Sequence, residues 1–524
     1  MAAAVLKWII ELVQDNFQGS GLALQTFLVL CATFLLVCVV FFKRSRNLPP
    51  YPAGRVPVLG HLLALGRAPH LELTAWRRQY GDVFTIRLGM EDVVVLNGYT
   101  AVKDALVDRS ELFASRPQSY LLDSTVGFGK DIVFGRWGSE FKQRKRFATS
   151  TLKTLGMKVG TGSIEEHIRK ETSFLRNRIA EYRGKPVDIS HDVTVAVANV
   201  ICSMVFGKRY DYEDETFREL SEAVVAVMVE LRTGQIISVF PLLRFVPGVN
   251  RASCMVSRQL AKIQKVLREE MARHGEHLDR ENPRDFIDFC LLELAQQEKV
   301  AGLTEENMLY MTQDLFFAGI DTTTNTLLWC LQYMILNPDI QKKAQEELDA
   351  VVGESLPTLP HRSQLHYVNA CLLEVMRIRT LIPVTIHATT QDVIVQGYDI
   401  PKGSTSEPTL PPHGPRLLVG PERFLDVEGN VINKPESFVP FSGGRRVCLG
   451  EQLARMELFL FFSTLLQSFK TPEGAPPPST DGVCGLTLSP HPFQLCAIPR
   501  KFMLNSSNNQ YHMTFVLCTL NECE

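Results

Sequence analysis

A cysteine near the end of the chain lies in surroundings that suit metal chemistry. The stretch Phe441–Gly450 reads FSGGRRVCLG and precedes Glu451–Phe469, whose apolar spacing predicts a helix. Cys448 therefore lies where a loop becomes a helix, and amides at a helix N-terminus lower the pKa of a thiol. Gly443 and Gly444 permit a tight turn and a close approach of the backbone to a flat ligand. The alternative interpretation is an ordinary cysteine that acts as a small buried hydrophobe.

A second group of polar residues interrupts a predicted helix. Leu315–Met334 is otherwise apolar but contains AGIDTTTN from Ala318 to Asn325. Asp, Thr, Asn and Gly are weak helix formers, and a polar side chain inside a protein carries a desolvation cost. Such residues indicate a site, but a threonine that bonds back to the carbonyl four residues earlier explains them equally well.

The order F-x-x-G-x-R-x-C-x-G at Phe441–Gly450 resembles the haem-binding signature of the cytochrome P-450 superfamily. Every fixed position is filled, by Phe441, Gly444, Arg446, Cys448 and Gly450. The resemblance implies a haem b cofactor whose iron is held by the Cys448 thiolate, a ligand that favours O–O cleavage. It also implies the superfamily's mainly α fold with small β-sheets.

The polar stretch in the helix resembles the superfamily's oxygen-activation motif, which is a small residue, glycine, any residue, an acid and threonine. This assigns the acid to Asp321 and the alcohol to Thr322. Gly319 would leave room for dioxygen, Thr322 would hold reduced dioxygen and a water by hydrogen bonds, and Asp321 would help to relay protons from solvent.

Glu374 and Arg377 have helical spacing, which by itself is typical of an exposed ion pair. They resemble the superfamily's buried pair, whose third member would be Arg423 of a Pro-Glu-Arg-Phe sequence. These residues would stabilise the loop behind the haem. His387 and Lys145 occupy positions where the superfamily has groups that meet the haem propionates.

Three stretches depart from the superfamily pattern. Phe141 and Lys145 replace the usual tryptophan and arginine, so a weaker hold on haem is expected, unless Trp137 compensates. Ser404–Gly420 does not match, and its prolines 408, 411, 412 and 415 oppose regular structure. The tail 501–524 extends past the usual end.

Several stretches resemble microsomal family two, and two of them its U subfamily. The first group comprises Phe113–Pro117, Asn199–Ser203, Arg284–Asp288 and Ser489–Phe493, and the second Asp321–Asn337 and Gly450–Phe469. The resemblance implies a monooxygenase that hydroxylates a long-chain fatty acid, fed by NADPH through a reductase, with cytochrome b5 as a further partner. The alternatives are a sterol, secosteroid or xenobiotic hydroxylase, an inactive haem-binding variant, and an isomerase, against which Asp321 and Thr322 argue.

The resemblance also assigns surfaces for substrate and partner. The implied pocket stretches are mainly apolar, namely Gln118–Gly127, Phe316–Phe317, Leu381–Val384 and Leu486–Leu488. Each buried CH₂ contributes about 0.8 kcal/mol, so a long alkyl chain can bind by burial alone. Arg116 or Arg232 is a candidate for a substrate carboxylate. The cations Lys142, Arg144, Lys145 and Arg146 are predicted to attract an acidic reductase.

The elements that position these residues are mostly helices. Amphipathic patterns predict helices at Ile164–Tyr182, Phe217–Leu231, Arg258–Glu276, Asn307–Asn337 and Gln341–Val352. Residues from Phe84 and from Asp92 read as two strands joined by a turn at Gly89. No repeat or linker interrupts 62–500, which is predicted to be one catalytic body with small sheets.

The N-terminal region predicts a membrane anchor. Leu22–Phe42 is uncharged and long enough for a transmembrane helix, and Lys43, Arg44 and Arg46 follow it. This predicts a lumenal or interfacial 1–21, an anchor 22–42 and a basic, proline-rich hinge 43–61. The catalytic body would be cytosolic on the endoplasmic reticulum, with a mitochondrial membrane as the alternative.

Composition excludes two other classes of protein. Lys+Arg 55 against Asp+Glu 57 gives a net charge of -2, without the basic excess of a nucleic-acid binder. The 12 cysteines are scattered, and no pair has the spacing of a zinc site.

Overall fold

The computed structural model describes residues 27–28, 30–32, 47–156, 163–233, 235–296, 303–409, 419–432, 434–472 and 477–500. The predicted N-terminal region 1–21, most of the predicted anchor and the tail 501–524 lie outside the described residues. Among the described residues, no helix is both long and apolar enough to cross a membrane.

Helices make up most of the described chain. They are α1 Leu62–Leu65, α2 Pro69–Tyr80, α3 Tyr99–Lys103, α4 Tyr120–Thr125, α5 Ser139–Gly156, α6 Ile164–Glu181, α7 Ser190–Phe206, α8 Glu215–Thr233, α9 Gln235–Val239, α10 Arg251–Glu276, α11 Phe286–Ala295, α12 Glu305–Leu336, α13 Pro338–Val351, α14 His366–Ile378 and α15 Glu451–Ser468. The predicted helices are all found, with ends displaced by a few residues.

The strands form small sheets at the side of the helical body. They are β1 Val83–Leu88, β2 Glu91–Asn97, β3 His387–Ala388, β4 Val393–Val395, β5 Tyr398–Ile400, β6 Thr405–Thr409, β7 Phe469–Lys470, β8 Gly482–Cys484, β9 Leu488–Pro490 and β10 Ile498–Pro499. The largest sheet has the order β1-β2-β6-β3, and β1 and β2 form the predicted hairpin with Gly89 at φ 59°. The mainly α fold with small sheets is confirmed.

Helix α12 runs through the middle of the main hydrophobic core. It begins with a capping box in which Thr304 and Asn307 bond each other's backbone, and most of its 32 residues are buried. It packs most extensively on α7 and also contacts α15, the helix that follows Cys448. Because α12 and α15 are both buried, the polar stretch of one and the cysteine loop of the other are held in a fixed relation.

The described part of the proline-rich segment already lies against the body. The carbonyls of Pro49 and Pro50 accept hydrogen bonds from the side chain and the amide of Thr85, at 3.0 and 2.8 Å. His61 is buried and bonds to the carbonyl of Pro52 and to the amide of Arg87. Residues 49–61 therefore pack on β1 rather than forming a free spacer.

Part of the segment 404–420 is regular, contrary to the expectation from its prolines. Strand β6 pairs with β2 in parallel, with Pro408 opposite Leu96. The Pro408 carbonyl accepts a hydrogen bond from the amide of Thr385, so its nitrogen points to the same side, where pairing with β3 has ended. The missing N–H therefore costs no ladder bond to β2.

Candidate active site

Cys448 lies three residues before the start of α15 at Glu451, in a loop that is closed by a backbone hydrogen bond. Its amide donates to the carbonyl of Phe441 at 3.1 Å, which closes the loop. The side chain is exposed, yet burial of its surroundings raises the pKa of the thiol, against the lowering effect of the amides of Gly450 and Glu451. The predicted lowering effect of the helix terminus is present, but desolvation is larger, so the net shift of this pKa is upward.

The glycines before the cysteine lie in a turn that packs closely on another segment. Gly444 has φ +65°, and a Cβ there would lie 1.7 Å from the carbonyl oxygen of Leu106. A Cβ on Gly443 would contact Val107. The predicted tight turn is found, and on its Cβ side it packs against the π-helical turn Asp104–Asp108, while the approach to a flat ligand stays a prediction.

Four basic side chains lie beside the cysteine loop and donate hydrogen bonds to backbone carbonyls of the surrounding segments. Arg446 donates to the carbonyls of Ala114, Val133 and Gly135, at 2.6, 3.4 and 2.5 Å. Lys145 donates to the carbonyl of Arg445. Two further members complete the group, Arg116 with bonds to Val133 and Ile386, and His387 with a bond to Phe113.

Burial lowers the pKa of all four groups, and repulsion from another member adds to this for three of them. The pKa of Arg116 falls to about 10, that of Arg446 to about 9 and that of Lys145 to about 8, while that of His387 falls well below its ordinary value. After burial, the next cause for Lys145, Arg446 and His387 is another member of the group. Such a cluster fits a ligand with negative charge.

These residues fit a haem group. An accessible thiol supplies the soft ligand that haem iron accepts, and basic groups close by suit its two carboxylates. Phe141 does not contribute a polar group, but its ring lies 3.9 Å from the Arg446 guanidinium and is buried. It therefore supports Arg446 by a cation–π contact, and the Trp137 ring lies 6.0 Å from the same guanidinium.

Thr322 lies on the face of α12 that is open to the site. Its hydroxyl donates to the Ala318 carbonyl at 2.6 Å, and Thr326 donates to the Thr322 carbonyl at 2.8 Å. Ala318 is exposed although the helix around it is buried. The hydrogen bond from threonine to the carbonyl four residues earlier, given above as an alternative, is therefore present. The Thr322 hydroxyl oxygen can still accept a hydrogen bond at the open face.

Asp321 points away from Thr322 and toward the β8–β9 hairpin. Its carboxylate accepts from the Thr487 hydroxyl at 2.7 Å and from the Asn325 amide at 3.1 Å. Burial raises its pKa, and these two hydrogen bonds oppose the rise. Asp321 thus anchors the hairpin to the helix, one residue from Thr322.

Gly319 faces a neighbouring helix. A Cβ at this position would lie 2.4 Å from Cδ1 of Ile201 on α7. The expectation that it leaves room for dioxygen is wrong, because the space is filled by α7. Ala318, one helical turn before Thr322, is the small residue on the open face.

Glu374 and Arg377 form a buried pair rather than an exposed one. Glu374 accepts from Nε and Nη2 of Arg377 at 2.6 and 2.8 Å, and both side chains are almost fully buried. Arg423 approaches the same carboxylate at 3.5 Å, and the Gly420 amide donates to it at 3.0 Å. The three predicted residues are therefore brought together, with Glu374 at the centre.

Helix α5 divides the predicted basic patch between two faces. Phe141, Arg144 and Ala148 face inward, and Arg144 donates to the carbonyl of Gly129. Lys145 bonds to the cysteine loop, as described above. Only Lys142 and Arg146 are exposed, so the expectation of four surface cations is wrong because the helical period turns two of them inward.

The predicted pocket stretches are only partly open. Leu121 and Phe316 are fully buried in the core. Leu381 lines a cleft with Thr322 and Thr326, and its carbonyl accepts from the Leu488 amide at 2.7 Å. Arg116 is part of the basic cluster, and the side chain of Arg232 lies outside the described residues.

Sequence reasoning missed three buried acids near the site. Asp131 and Asp314 contact one backbone segment, and Glu457 of α15 accepts from Thr323 of α12 at 3.1 Å. Burial raises the pKa of Glu457 to about 8. The available signal was an acid inside an apolar run, as in MELFLFF and QDLFFAG.

Comparisons with known proteins agree with this geometry. The family model described as Cytochrome P450 matches residues 49–412 and 418–497, and its break falls inside the atypical segment 404–420. The chain is 36% identical to Cytochrome P450 2U1 of Mus musculus, over 89% of this chain and 94% of that relative. It is 38% identical to Vitamin D(3) 25-hydroxylase of Sus scrofa (89% and 96%) and 37% identical to Cytochrome P450 2D3 of Rattus norvegicus (92% and 99%).

Proposed function

The chain belongs to the cytochrome P450 family, whose members are monooxygenases, and we propose that it hydroxylates a long-chain fatty acid. In this proposal haem b supplies the oxygen chemistry when it is bound through Cys448, and NADPH supplies electrons through a reductase. The observation that carries the proposal is an accessible thiol beside four basic groups, of which His387 is buried and Arg116, Lys145 and Arg446 are half-buried.

The decisive experiment compares the purified protein with Cys448→Ala. The wild type should give the carbon monoxide difference spectrum of a thiolate-ligated haem, and the variant should lose both this spectrum and all turnover. Cys371→Ala, which removes a buried cysteine far from the loop in sequence, is the matched control and should keep the spectrum. A thiolate spectrum in the Cys448 variant would refute the assignment.

The protein's own groups have separate tasks in this proposal. Arg116, Arg446, Lys145 and His387 bind and orient the carboxylates of the haem. Thr322 offers a hydroxyl oxygen that would accept a hydrogen bond from a water at the open face of α12. Asp321, which accepts from Thr487, would take up protons on the hairpin side of the helix, one residue from Thr322.

The fatty-acid substrate is supported by an apolar cleft and by the sequence resemblance to the U subfamily. Leu381, Met376 and Leu458 line the cleft next to Thr322 and Thr326. Pro440 and Phe441 of the cysteine loop line its other side, so the cleft continues into the proposed haem site. Burial of an alkyl chain needs no specific polar partner, at about 0.8 kcal/mol per CH₂. The test is a titration with a long-chain fatty acid, followed by the haem Soret band, and then analysis of the products.

A secosteroid is the second candidate substrate. It is favoured by 38% identity to Vitamin D(3) 25-hydroxylase of Sus scrofa, and an apolar cleft suits it equally. The same titration with a secosteroid separates the two. Tight binding and turnover of the secosteroid, with neither for the fatty acid, would overturn the fatty-acid proposal and leave the monooxygenase assignment intact.

An exposed basic surface supports docking of an acidic reductase. It consists of Lys142 and Arg146 on α5, and Arg445 of the cysteine loop is also exposed. Charge reversal of Lys142 and Arg146 should slow the first reduction and weaken its dependence on salt. The matched control reverses Arg258 and Lys262, an exposed pair with the same spacing on α10, and should change neither.

We further propose that the enzyme lies on the endoplasmic reticulum membrane. Several large apolar side chains are exposed, namely Leu63, Met90, Leu242 and Phe245. The turn at Gly89 connects the segments that carry them, because its amide bonds to the Leu59 carbonyl and a Cβ there would lie 2.7 Å from Val239. Contiguous exposed apolar surface is typical of membrane contact. Leu242→Asp with Phe245→Asp should weaken vesicle binding of a protein that lacks residues 1–42.

A further inference from the structure

Two buried carboxyl groups that the proposed chemistry does not use meet on one backbone segment. Asp314, on α12, accepts from the amides of Ile132 and Val133 at 2.8 and 3.3 Å. Asp131 accepts from the amides of Val133 and Phe134 at 3.1 and 2.5 Å. The Val133 amide is thus shared by carboxyl groups from two distant parts of the chain. Asp131 is 0% exposed and Asp314 5%, so water does not separate them from the core.

The two acids have different charged neighbours. Asp131 faces three guanidinium groups, those of Arg446, Arg116 and Arg144. Asp314 faces Asp131 and the amides of the segment. Outside them, Glu140 approaches Arg144 at 3.8 Å and Lys130 pairs with Glu306.

Two buried acids this close do not both ionise readily. Burial raises the pKa of Asp131 to about 6, and burial together with the charge of Asp131 raises that of Asp314 well above its ordinary value. The Oδ1 atom of Asp131 is buried and makes no hydrogen bond to the described residues. A proton on the neighbouring carboxyl group would give this oxygen a donor.

The carbonyl groups of the same segment accept hydrogen bonds from two of the basic groups of the site. Arg116 Nε donates to the Val133 carbonyl at 3.1 Å, and Arg446 donates to the carbonyls of Val133 and Gly135. The acids therefore hold the amides of the segment while the arginines hold its carbonyls. A change in the charge of the acids reaches the arginines through one short stretch of backbone.

We propose that Asp131 and Asp314 hold one proton between them at neutral pH and act as a positioning pair for the segment 131–135 and its arginines. Asp131, opposite the guanidinium groups, carries the negative charge, and Asp314 carries the proton. The link to haem retention rests on the proposed function, whereas the shared proton does not.

The proposal gives a pH dependence with a definite sign. Below about pH 6 Asp131 is also protonated, so the pair holds two protons and the arginines lose the anion that they face. Haem should then leave more readily as pH falls through this value. His387 does not account for the step, since its pKa lies well below the ordinary value.

Haem transfer to apomyoglobin between about pH 5 and pH 8 measures this step. The wild type should lose haem several-fold faster below pH 6, and Asp131→Asn should lose it fast at every pH. Asp314→Asn should behave as wild type, since its amide can accept from the segment and donate to Asp131. Glu306→Gln, on the same helix but exposed, is the control and should also match wild type. A wild-type pH step in Asp131→Asn would overturn the proposal.

Infrared spectroscopy tests the shared proton without reference to haem. The wild type should show C=O stretching bands of protonated carboxyl groups at neutral pH, and Asp314→Asn should remove one of them. Glu457→Gln should remove a different band, because burial raises the pKa of Glu457 to about 8. If Asp314→Asn leaves every such band in place, the pair holds no proton and the proposal fails. If the wild type binds no haem, the proposed function fails, but the infrared result still decides the pair.

Discussion

Replacing Glu374 by alanine tests how much of the stability depends on the buried ion pair of α14. Glu374 accepts two hydrogen bonds from Arg377, at 2.6 and 2.8 Å, and one from the Gly420 amide at 3.0 Å. The variant removes the carboxylate opposite a guanidinium that is only 2% exposed. Breaking a buried pair in this way costs about 3–5 kcal/mol, which lowers the folding equilibrium constant by roughly two to four powers of ten.

Arg423→Ala is the matched control for this prediction. Arg423 contacts the same carboxylate at 3.5 Å, but its side chain is 44% exposed, so its loss should cost about 0–1 kcal/mol. The assay is urea unfolding of the haem-loaded protein, followed by tryptophan fluorescence and by the Soret band. Equal losses in the two variants, or a loss under about 1 kcal/mol for Glu374→Ala, would refute the view that burial sets the strength of this pair.

Three further outcomes are expected. Thr322→Ala should keep haem and substrate binding but divert NADPH to hydrogen peroxide, whereas Thr322→Ser should stay coupled; equal coupling in the alanine variant would contradict the role of the hydroxyl. Gly444→Ala should destabilise the protein by about 3 kcal/mol or more and release haem, since its Cβ would lie 1.7 Å from a carbonyl oxygen, while Gly275→Ala, with open space around it, should not. Both ring nitrogens of His274 face acceptors, one of them Asp285 at 2.9 Å, and this partner raises the His274 pKa against the effect of burial. The stabilisation by the His274–Asp285 pair should therefore be complete below about pH 6.5 and be lost as pH rises through the raised pKa of His274. The unfolding midpoint of His274→Gln, measured across this pH range, should not show this loss.

Periodicity predicted the helices because burial in this protein follows the helical repeat. Helix α12 extends from Glu305 to Leu336 where the pattern predicted 307–337, and the strands around Gly89 are also found. The cysteine motif could be recognised because its residues are adjacent in the chain. These features depend on local sequence, which a single chain displays in full.

The errors arose where the direction of a side chain or the identity of a neighbour decides the role. Lys145 and Arg144 look like members of a basic patch, but Arg144 is buried and Lys145 is half-buried against the cysteine loop. Gly319 and Gly444 must be glycine because of Ile201 and Leu106, which are distant in sequence. Spacing predicts that a position must be small, but it cannot identify what packs against it.

The atypical segment 404–420 bears on the alternative of an inactive haem-binding protein. Its described ends are both held, because β6 lies in the main sheet and the Gly420 amide is bound by the buried Glu374. None of the residues assigned to haem or oxygen lies between 410 and 418. The described ends of the segment are thus fixed, and among the described residues the cysteine loop, the basic cluster and α12 keep contacts of their own. Glu374 joins the end of this segment to α14, so Glu374→Ala also tests whether the segment affects haem retention.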